Sequence, residues 1–271
     1  MTAIQICKRC VNPSTRPNVE FDKDGICNVC RLHEKNLQGK IDWDSRDREI
    51  KEIIHWGKES TKSSYDCIVT VSGGKDSTRQ AFYVRDELGM NPLLVSSVYP
   101  PEESHDRGPE NLSNLIKHGF DTITLGVNPK VFKTLMRYCL FNFTNLFNAS
   151  EMALYAIPIH VAIAYKIPLV FLGENPAHTI GEKHGKLNGD ASQMRHGNTI
   201  KGGKADILLD AGVSSHDLFF YNYPPESDVK QAGLRLVYLG YYMRDWSGWN
   251  NAEFSIDRGL KVRKDSPENI G

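Results

Sequence analysis

From Tyr65 onward, short apolar runs alternate with helical patterns, and this alternation restricts the possible folds more than any other feature of the chain. The runs occupy residues 67–71, 92–98, 122–127, 168–172 and 234–239. Each is rich in apolar or β-branched residues and bounded by turn formers, as a strand buried on both faces of a parallel sheet must be. Between the runs lie helix patterns with legible ends. Residues 77–88 put Ala81, Val84 and Leu88 on one face and stop at Gly89. Pro109 opens a helix that carries Leu112, Leu115 and Ile116 and ends at Gly119. Asn128 and Pro129 open a third, with Phe132, Leu135, Met136, Cys139 and Phe143 inward. A fourth spans residues 150–165 and is expected to be disturbed at Pro158. Strand, helix, strand, repeated, predicts an α/β domain over residues 65–271, a parallel five-stranded sheet with helices on both faces. Right-handed crossovers then align the strand C-terminal ends along one edge, where ligands bind. Residues 174–217 break the repeat. They are rich in Gly, Asn, His and Lys, and a segment this polar and long reads as a functional loop or a mobile lid.

The first run leads directly into Ser72, Gly73, Gly74, Lys75, Asp76 and Ser77, and a helix pattern follows. Two glycines let the backbone approach a phosphate, and successive N–H groups at a helix start point at it. Ser72 and Ser77 add hydroxyl donors and Lys75 a positive charge. Asp76 would repel phosphate unless a cation intervenes, which suggests Mg²⁺ bridging ATP phosphates. The spacing is not that of the Walker loop. The bland alternative is a glycine turn with a helix cap.

Residues 1–34 form a different unit. Cys7 and Cys10, then Cys27 and Cys30, make two CxxC knuckles on turns helped by Pro13 and Gly25. The segment has too few apolar residues for a core and needs a staple. Four thiolates at this spacing suit one tetrahedral Zn²⁺, as in a zinc ribbon, with no coordination position left open. Reduced free thiols or an iron–sulfur site are the alternatives. Residues 35–64 are highly charged, with scattered Ile and Trp, and read as a helical connector lying on the main body. Cys67 and Cys139 fall inside apolar patterns and read as core residues. No run of 18 apolar residues and no apolar leader is present, so a cytoplasmic protein with no membrane association is expected. Lys plus Arg equals Asp plus Glu at 33 each, which makes nucleic acid an unlikely partner.

The loop resembles the PP-loop signature of the ATP pyrophosphatase superfamily, whose fold is HUP-like. The resemblance extends further. The knuckle segments, with Val11 and the stretch from Phe21 to Gly25, look like the start of the N-acetyl sugar amidotransferases of lipopolysaccharide O-antigen and nonulosonic acid biosynthesis. Gly173, Glu174, Asn175 and Pro176 resemble that family too, as do residues 238–259 with their Trp-rich turn and Asn250-Asn251-Ala252-Glu253-Phe254 helix start. Members of the family run on for about another hundred residues of mostly helical sequence, so the resemblance implies that a C-terminal extension is lacking here.

What the resemblance implies is an ATP-dependent carbon–nitrogen ligase. The amide oxygen of an N-acetylated sugar attacks the α-phosphate of ATP and pyrophosphate leaves. Ammonia then displaces AMP to give an acetamidino group. Lys75, Asp76 and Mg²⁺ would hold the pyrophosphate, with Ser72, Gly73, Gly74, Ser77 and Gly173 around the nucleotide. The ammonia would come from a partner, a separate glutaminase and barrel-protein pair. Glu174, at a strand end beside the cleft, reads as a metal or ammonia ligand or as an ordinary helix-start carboxylate. His178, His184, His196 and His216 read as acid–base groups or solvated loop histidines. Arg195, Lys201 and Lys204 are candidates to meet a sugar carboxylate. Tyr221, Tyr223, Trp246 and Trp249 are candidates to stack on the ring, or else pack in the core. Two rival readings are a PP-loop tRNA thiolase, which needs a cysteine in the cleft and a basic face, and a non-catalytic ATP- and zinc-binding subunit.

Overall fold

The computed structural model describes residues 3–16, 18–39, 41–100, 106–179, 181, 185–197, 200 and 202–263. The five expected strands are present: β1 Cys67–Thr70, β2 Pro92–Val98, β3 Thr122–Gly126, β4 Leu169–Leu172 and β5 Arg235–Tyr238. All pair in parallel, in the order β3-β2-β1-β4-β5. The order reverses direction between β1 and β4, and the C-terminal ends at such a switch point are where sheets of this kind take ligands. Period-2 alternation divides the sheet's side chains between two cores. Ile68, Val170, Leu172, Leu236 and Tyr238 face one core, and Cys67, Val69, Leu169, Phe171 and Val237 face the other.

Helices cover both faces. α5 (Pro129–Phe143) and α6 (Asn148–Tyr165) build the first core through Leu135, Cys139, Met152 and Ile157. α6 runs unbroken through Pro158. The second core takes α2 (Trp43–Ser60), α3 (Lys75–Phe82) and α4 (Arg107–Lys117). Gly57 lets α2 lie close on the sheet: a Cβ there would stand 2.6 Å from Leu169 Cδ2. The helix expected over 77–88 starts earlier, at Lys75, and gives way at Tyr83–Glu87 to a π-turn, where the Leu88 N–H donates to the Tyr83 carbonyl. α1 (Asn28–Gln38) grows out of the second knuckle, with Cys27 as its N-cap, so it crosses residue 34, where the sequence suggests the first unit ends.

The irregular stretch after β4 is tied back to the sheet at several of its described residues. A short helix, α7 (Pro176–Thr179), follows β4 at once. The buried Asn175 amide then donates to the carbonyls of Lys186 and Asn188, which ties the returning chain to the end of β4. Residues 189–191 run antiparallel along β5: Tyr238 N–H donates to Gly189 and Ala191 N–H to Leu236. This strap covers an otherwise open sheet edge. Met194, Ala205, Leu208 and Leu218 then enter the first core. Their irregular spacing has no helix or strand period, which is why the sequence hides them. α8 (Glu226–Gln231) leads into β5, and α9 (Gly248–Asp257) packs on α3.

Candidate nucleotide-binding loop and metal knuckle

The loop after β1 lies at the switch point. Gly74 caps α3 with extended backbone and no side-chain hydrogen bond. Among the described residues, the N–H groups of Lys75, Asp76 and Ser77 have no acceptor, so the helix start presents free donors at its positive end. The loop is braced from within. Ser77 Oγ donates to the Gly74 carbonyl at 3.1 Å and accepts from Ser72 N–H at 3.2 Å. Gly73 has φ +77°, and a Cβ there would meet the Gly108 carbonyl oxygen at 3.1 Å and Asn111 Cβ at 3.4 Å. Only glycine fits a position that is both left-handed and pressed against α4. Lys75 Nζ pairs with Asp76 Oδ2 at 3.1 Å. Asp76 supplies a hard oxygen donor beside the free N–H groups, a set that fits Mg²⁺ shared with phosphates.

The β1–β4 register sets Ile68 opposite Val170 and Val69 opposite Phe171, so the two strands end side by side at Thr70 and Leu172. Glu174 follows the end of β4 by two residues and is exposed. Gly173 faces α3, where a Cβ would come within 3.1 Å of Gln80 Nε2, and its carbonyl accepts from Gly240 N–H.

α9 carries residues the sequence reading did not single out. The buried Asn251 side chain donates to Asp76 Oδ1 at 2.8 Å, and the buried Ser255 hydroxyl to the Lys75 carbonyl at 2.8 Å. Nearby, Arg79 reaches Asp245 at 3.0 Å and lies over the Phe254 ring at 4.1 Å. The sequence signals here are the Ser247 cap that starts α9 and the resemblance of residues 250–254, and neither says what the helix packs against.

Other candidates lie elsewhere. Because residues 189–191 run antiparallel to β5, the chain that follows heads toward the strand's N-terminal end. There Arg195 and His196 line a cavity of about 610 Å³ with Trp56, Tyr223, Lys230 and Arg235. Arg235 pairs with Leu169, so this end lies roughly 16 Å along the strands from Ser72. The Arg195 guanidinium is held by the Gly202 carbonyl and lies 5.5 Å from the Tyr223 ring centre. Arg195 therefore does not face the loop. Tyr221 and Tyr223 are core residues, and burial pushes both phenols well up. His178, on α7, is half-buried, and burial holds its pKa down against a backbone hydrogen bond at Leu187. His216 and Lys204 are exposed, and Trp246 packs over Gly240. Trp249 is 73% exposed at the start of α9, one residue from Gly248, where a Cβ would stand 3.9 Å from Lys75 Cε. His184 and Lys201 lie outside the described residues.

The four knuckle cysteines gather: one sulfur from each of Cys7, Cys10, Cys27 and Cys30 lies within 4.8 Å of the others. Four thiolates about 2.3 Å from a tetrahedral Zn²⁺ stand about 3.8 Å apart, so the cluster fits such an ion. Cys7 Sγ accepts from the N–H of Arg9 at 3.4 Å and of Cys27 at 3.3 Å. Burial opposes the Cys7 thiolate, but backbone hydrogen bonds around it prevail and bring its pKa down to about 6. Burial and the neighbouring sulfurs push Cys30 up to about 12. A divalent cation is what would let all four ionise together. Cys67 and Cys139 are fully buried, and burial raises both thiols.

The fold and site define an α/β protein with a glycine-rich loop of free N–H groups at its switch point and a four-cysteine cluster at its N-terminal end. No family model matches the chain. An uncharacterized protein of Methanocaldococcus jannaschii is 30% identical over 116 residues, 41% of this chain. The aligned part is 39% of that relative, so the chain spans about two fifths of its length. Among solved structures, an NH3-dependent NAD synthetase from Campylobacter jejuni aligns over 82% of this chain and 99% of that one, at 15% identity and TM-score 0.38. A predicted subunit of a tRNA methyltransferase from Methanocaldococcus jannaschii aligns over 70% and 75%, at 12% identity and TM-score 0.37. A tRNA thiolase from Methanococcus maripaludis aligns over 97% and 74%, at 14% identity and TM-score 0.33. These likenesses are distant, and no chemistry is carried over from them. No helix among the described residues is long and apolar enough to cross a membrane.

Proposed function

We propose that the chain is a PP-loop enzyme that binds ATP with Mg²⁺ at residues 72–77 and activates an N-acetyl group of a sugar by adenylylation. The observation that carries the nucleotide part is the loop itself. Free N–H groups, two hydroxyls and an ammonium converge at the switch point of a parallel sheet, on a backbone that only glycine at position 73 permits. An amide carbonyl is a poor electrophile, and oxide does not leave. When bound, ATP and Mg²⁺ supply a leaving pyrophosphate and an electrophilic phosphorus. The amide oxygen bonds to the α-phosphorus as the bond to the bridging oxygen breaks, giving an O-adenylyl imidate. Ammonia then adds to the imidate carbon, AMP departs with the oxygen, and an amidine remains.

This chain's own residues bind and neutralise. Lys75 and the N–H groups at the start of α3 take the developing charge on pyrophosphate, Asp76 would hold the metal, Ser72 orients a phosphate oxygen, and Ser77 braces the loop through the Gly74 carbonyl. Glu174, just past the end of β4, accepts a proton from the incoming ammonia, and the exposed ring of Trp249 offers a stacking face for a sugar. The resemblance of residues 173–176 and 238–259 to the sugar amidotransferases supports the choice of substrate, with ammonia delivered by a separate glutaminase pair. The cysteine cluster holds Zn²⁺ in a structural role. The buried Cys67 and Cys139 weigh against a thiolase, which needs a reactive thiol at the crevice.

The test is incubation with ATP, Mg²⁺, ammonium and a panel of N-acetylated nonulosonic and uronic sugars. Sugar-dependent release of pyrophosphate, with a product in which NH replaces the amide oxygen, is expected. Nucleotide binding without sugar-dependent turnover would favour the non-catalytic subunit. Salt-sensitive tRNA binding with tRNA-dependent pyrophosphate release would favour the thiolase.

A further inference from the structure

One stripe of α9 faces the loop. Gly248, Asn251 and Ser255 lie at i, i+3 and i+7, and each lies against residues 75–76 at the start of α3. Ser255 holds the Lys75 carbonyl, and Asn251 holds one oxygen of the Asp76 carboxylate. The other carboxylate oxygen is taken by the Lys75 ammonium at 3.1 Å. Asp76 is thus held from two sides, by a charged partner on a flexible stem and by a neutral partner fixed in a helix.

The two partners differ in what becomes of them when a nucleotide arrives. Phosphates attract the Lys75 ammonium, and its stem is long enough to swing away. Oδ2 of Asp76 is then released, and a carboxylate that loses its ion pair is free to turn about its own side-chain bonds. Asn251 cannot follow Lys75: it is 1% exposed and sits in the interface between α9 and α3. Its orientation is fixed as well, because turning the amide would set its oxygen against a carboxylate oxygen. The other end of the amide has no such support. Asn251 Oδ1 is buried and has no hydrogen-bond partner among the described residues. A side chain kept only for packing would have no reason to leave a buried acceptor unmatched, whereas one kept to aim Asp76 does.

We infer that Asn251 is the positioning residue for Asp76: it holds the carboxylate toward the loop when Lys75 leaves for phosphate, so that the freed oxygen meets Mg²⁺ already oriented. The inference rests on the proposed binding of ATP and Mg²⁺ at this loop. On this account the Lys75–Asp76 pair is the resting arrangement of an empty loop. Metal binding exchanges it for two separate contacts, ammonium to phosphate and carboxylate to metal. Asn251 touches neither ligand and makes its contribution through Asp76 alone. α9, far away in sequence, thereby becomes part of the nucleotide site.

The experiment compares the wild-type protein with Asn251→Leu and Ser255→Ala, using a non-hydrolysable α,β-methylene analogue of ATP. Affinity is measured by calorimetry in excess Mg²⁺ and again in EDTA, and thermal midpoints are recorded for each protein. In the wild type, Mg²⁺ is expected to tighten binding. In Asn251→Leu that enhancement should shrink by roughly tenfold or more, the scale of a lost hydrogen bond to a charged group, while affinity in EDTA changes little. Ser255→Ala removes a bond to backbone only, so it should lower the thermal midpoint and leave the Mg²⁺ enhancement intact. A merely structural Asn251 would behave like Ser255→Ala, and that result would overturn the inference while sparing the nucleotide reading. A wild-type protein that binds the analogue in neither condition would overturn both.

Discussion

At the scale of single residues, the loop depends on one backbone conformation. Gly73 combines φ +77° with a 3.1 Å approach to the Gly108 carbonyl oxygen. Left-handed backbone costs a non-glycine residue about 1–2 kcal/mol, before the contact with α4 is counted. Gly73→Ala should therefore lower stability by roughly 2 kcal/mol or more in urea unfolding and abolish binding of an ATP analogue. An alanine variant with wild-type stability and affinity would remove the basis for the loop reading. The loop was legible in the sequence because two glycines between a strand pattern and a helix pattern mark a tight turn. Asn251 stood in a stretch that resembles a known family, but its role was not legible: only the packing of α9 on α3 brings its amide to Asp76.

At the scale of elements, the knuckle is a separable case. Its hydrophobic support consists of the cysteines with Val19, Phe21, Ile26 and Val29, too little to hold a chain segment in place by burial alone. Its nearest ally is α7, against which α1 packs. A Cβ at Gly181 would come within 2.9 Å of Val29 Cγ2, so the knuckle lies directly on the chain that leaves β4. Stripping the metal with a strong chelator should expose residues 6–31 to rapid amide exchange, with protection of β1, β2 and β4 retained. A weaker loss of protection is expected over residues 173–181. Unchanged exchange in the knuckle after complete metal removal would show that the segment does not depend on an ion. The strands were readable to within a residue, since burial on both faces demands unbroken apolar runs. The strap at 189–191 was not readable, because main-chain hydrogen bonds to β5 leave no mark on residue type.

At the scale of the whole molecule, acid should weaken the fold before the carboxylates protonate. His160 on α6 is pulled below its ordinary value of 6.5 by burial, against hydrogen bonding with the carbonyls of Asn222 and Phe219. The folded state thus binds its proton more weakly than the unfolded chain does. The stability this contributes is fully present above about 6.5 and is lost as pH falls from there through the lowered folded value. His178 shifts the same way through burial. Urea midpoints should therefore decline on acidification below pH 6.5, and His160→Gln should flatten the decline without abolishing it. A variant with the wild-type slope would assign the acid sensitivity elsewhere.

By itself the sequence determined the parallel sheet, the glycine-rich loop at residues 72–77 between strand and helix, and the four-cysteine set. Each is written in local terms: apolar runs, a glycine-rich turn between strand and helix, paired thiols at ligand spacing. Only the tertiary structure decided which distant residues complete the site. It brought Asn251 to Asp76 through the packing of α9 on α3, and carried Arg195 to the opposite edge of the sheet along an antiparallel strap. Such placements follow from which surfaces bury one another, and residue type along the chain does not record that choice.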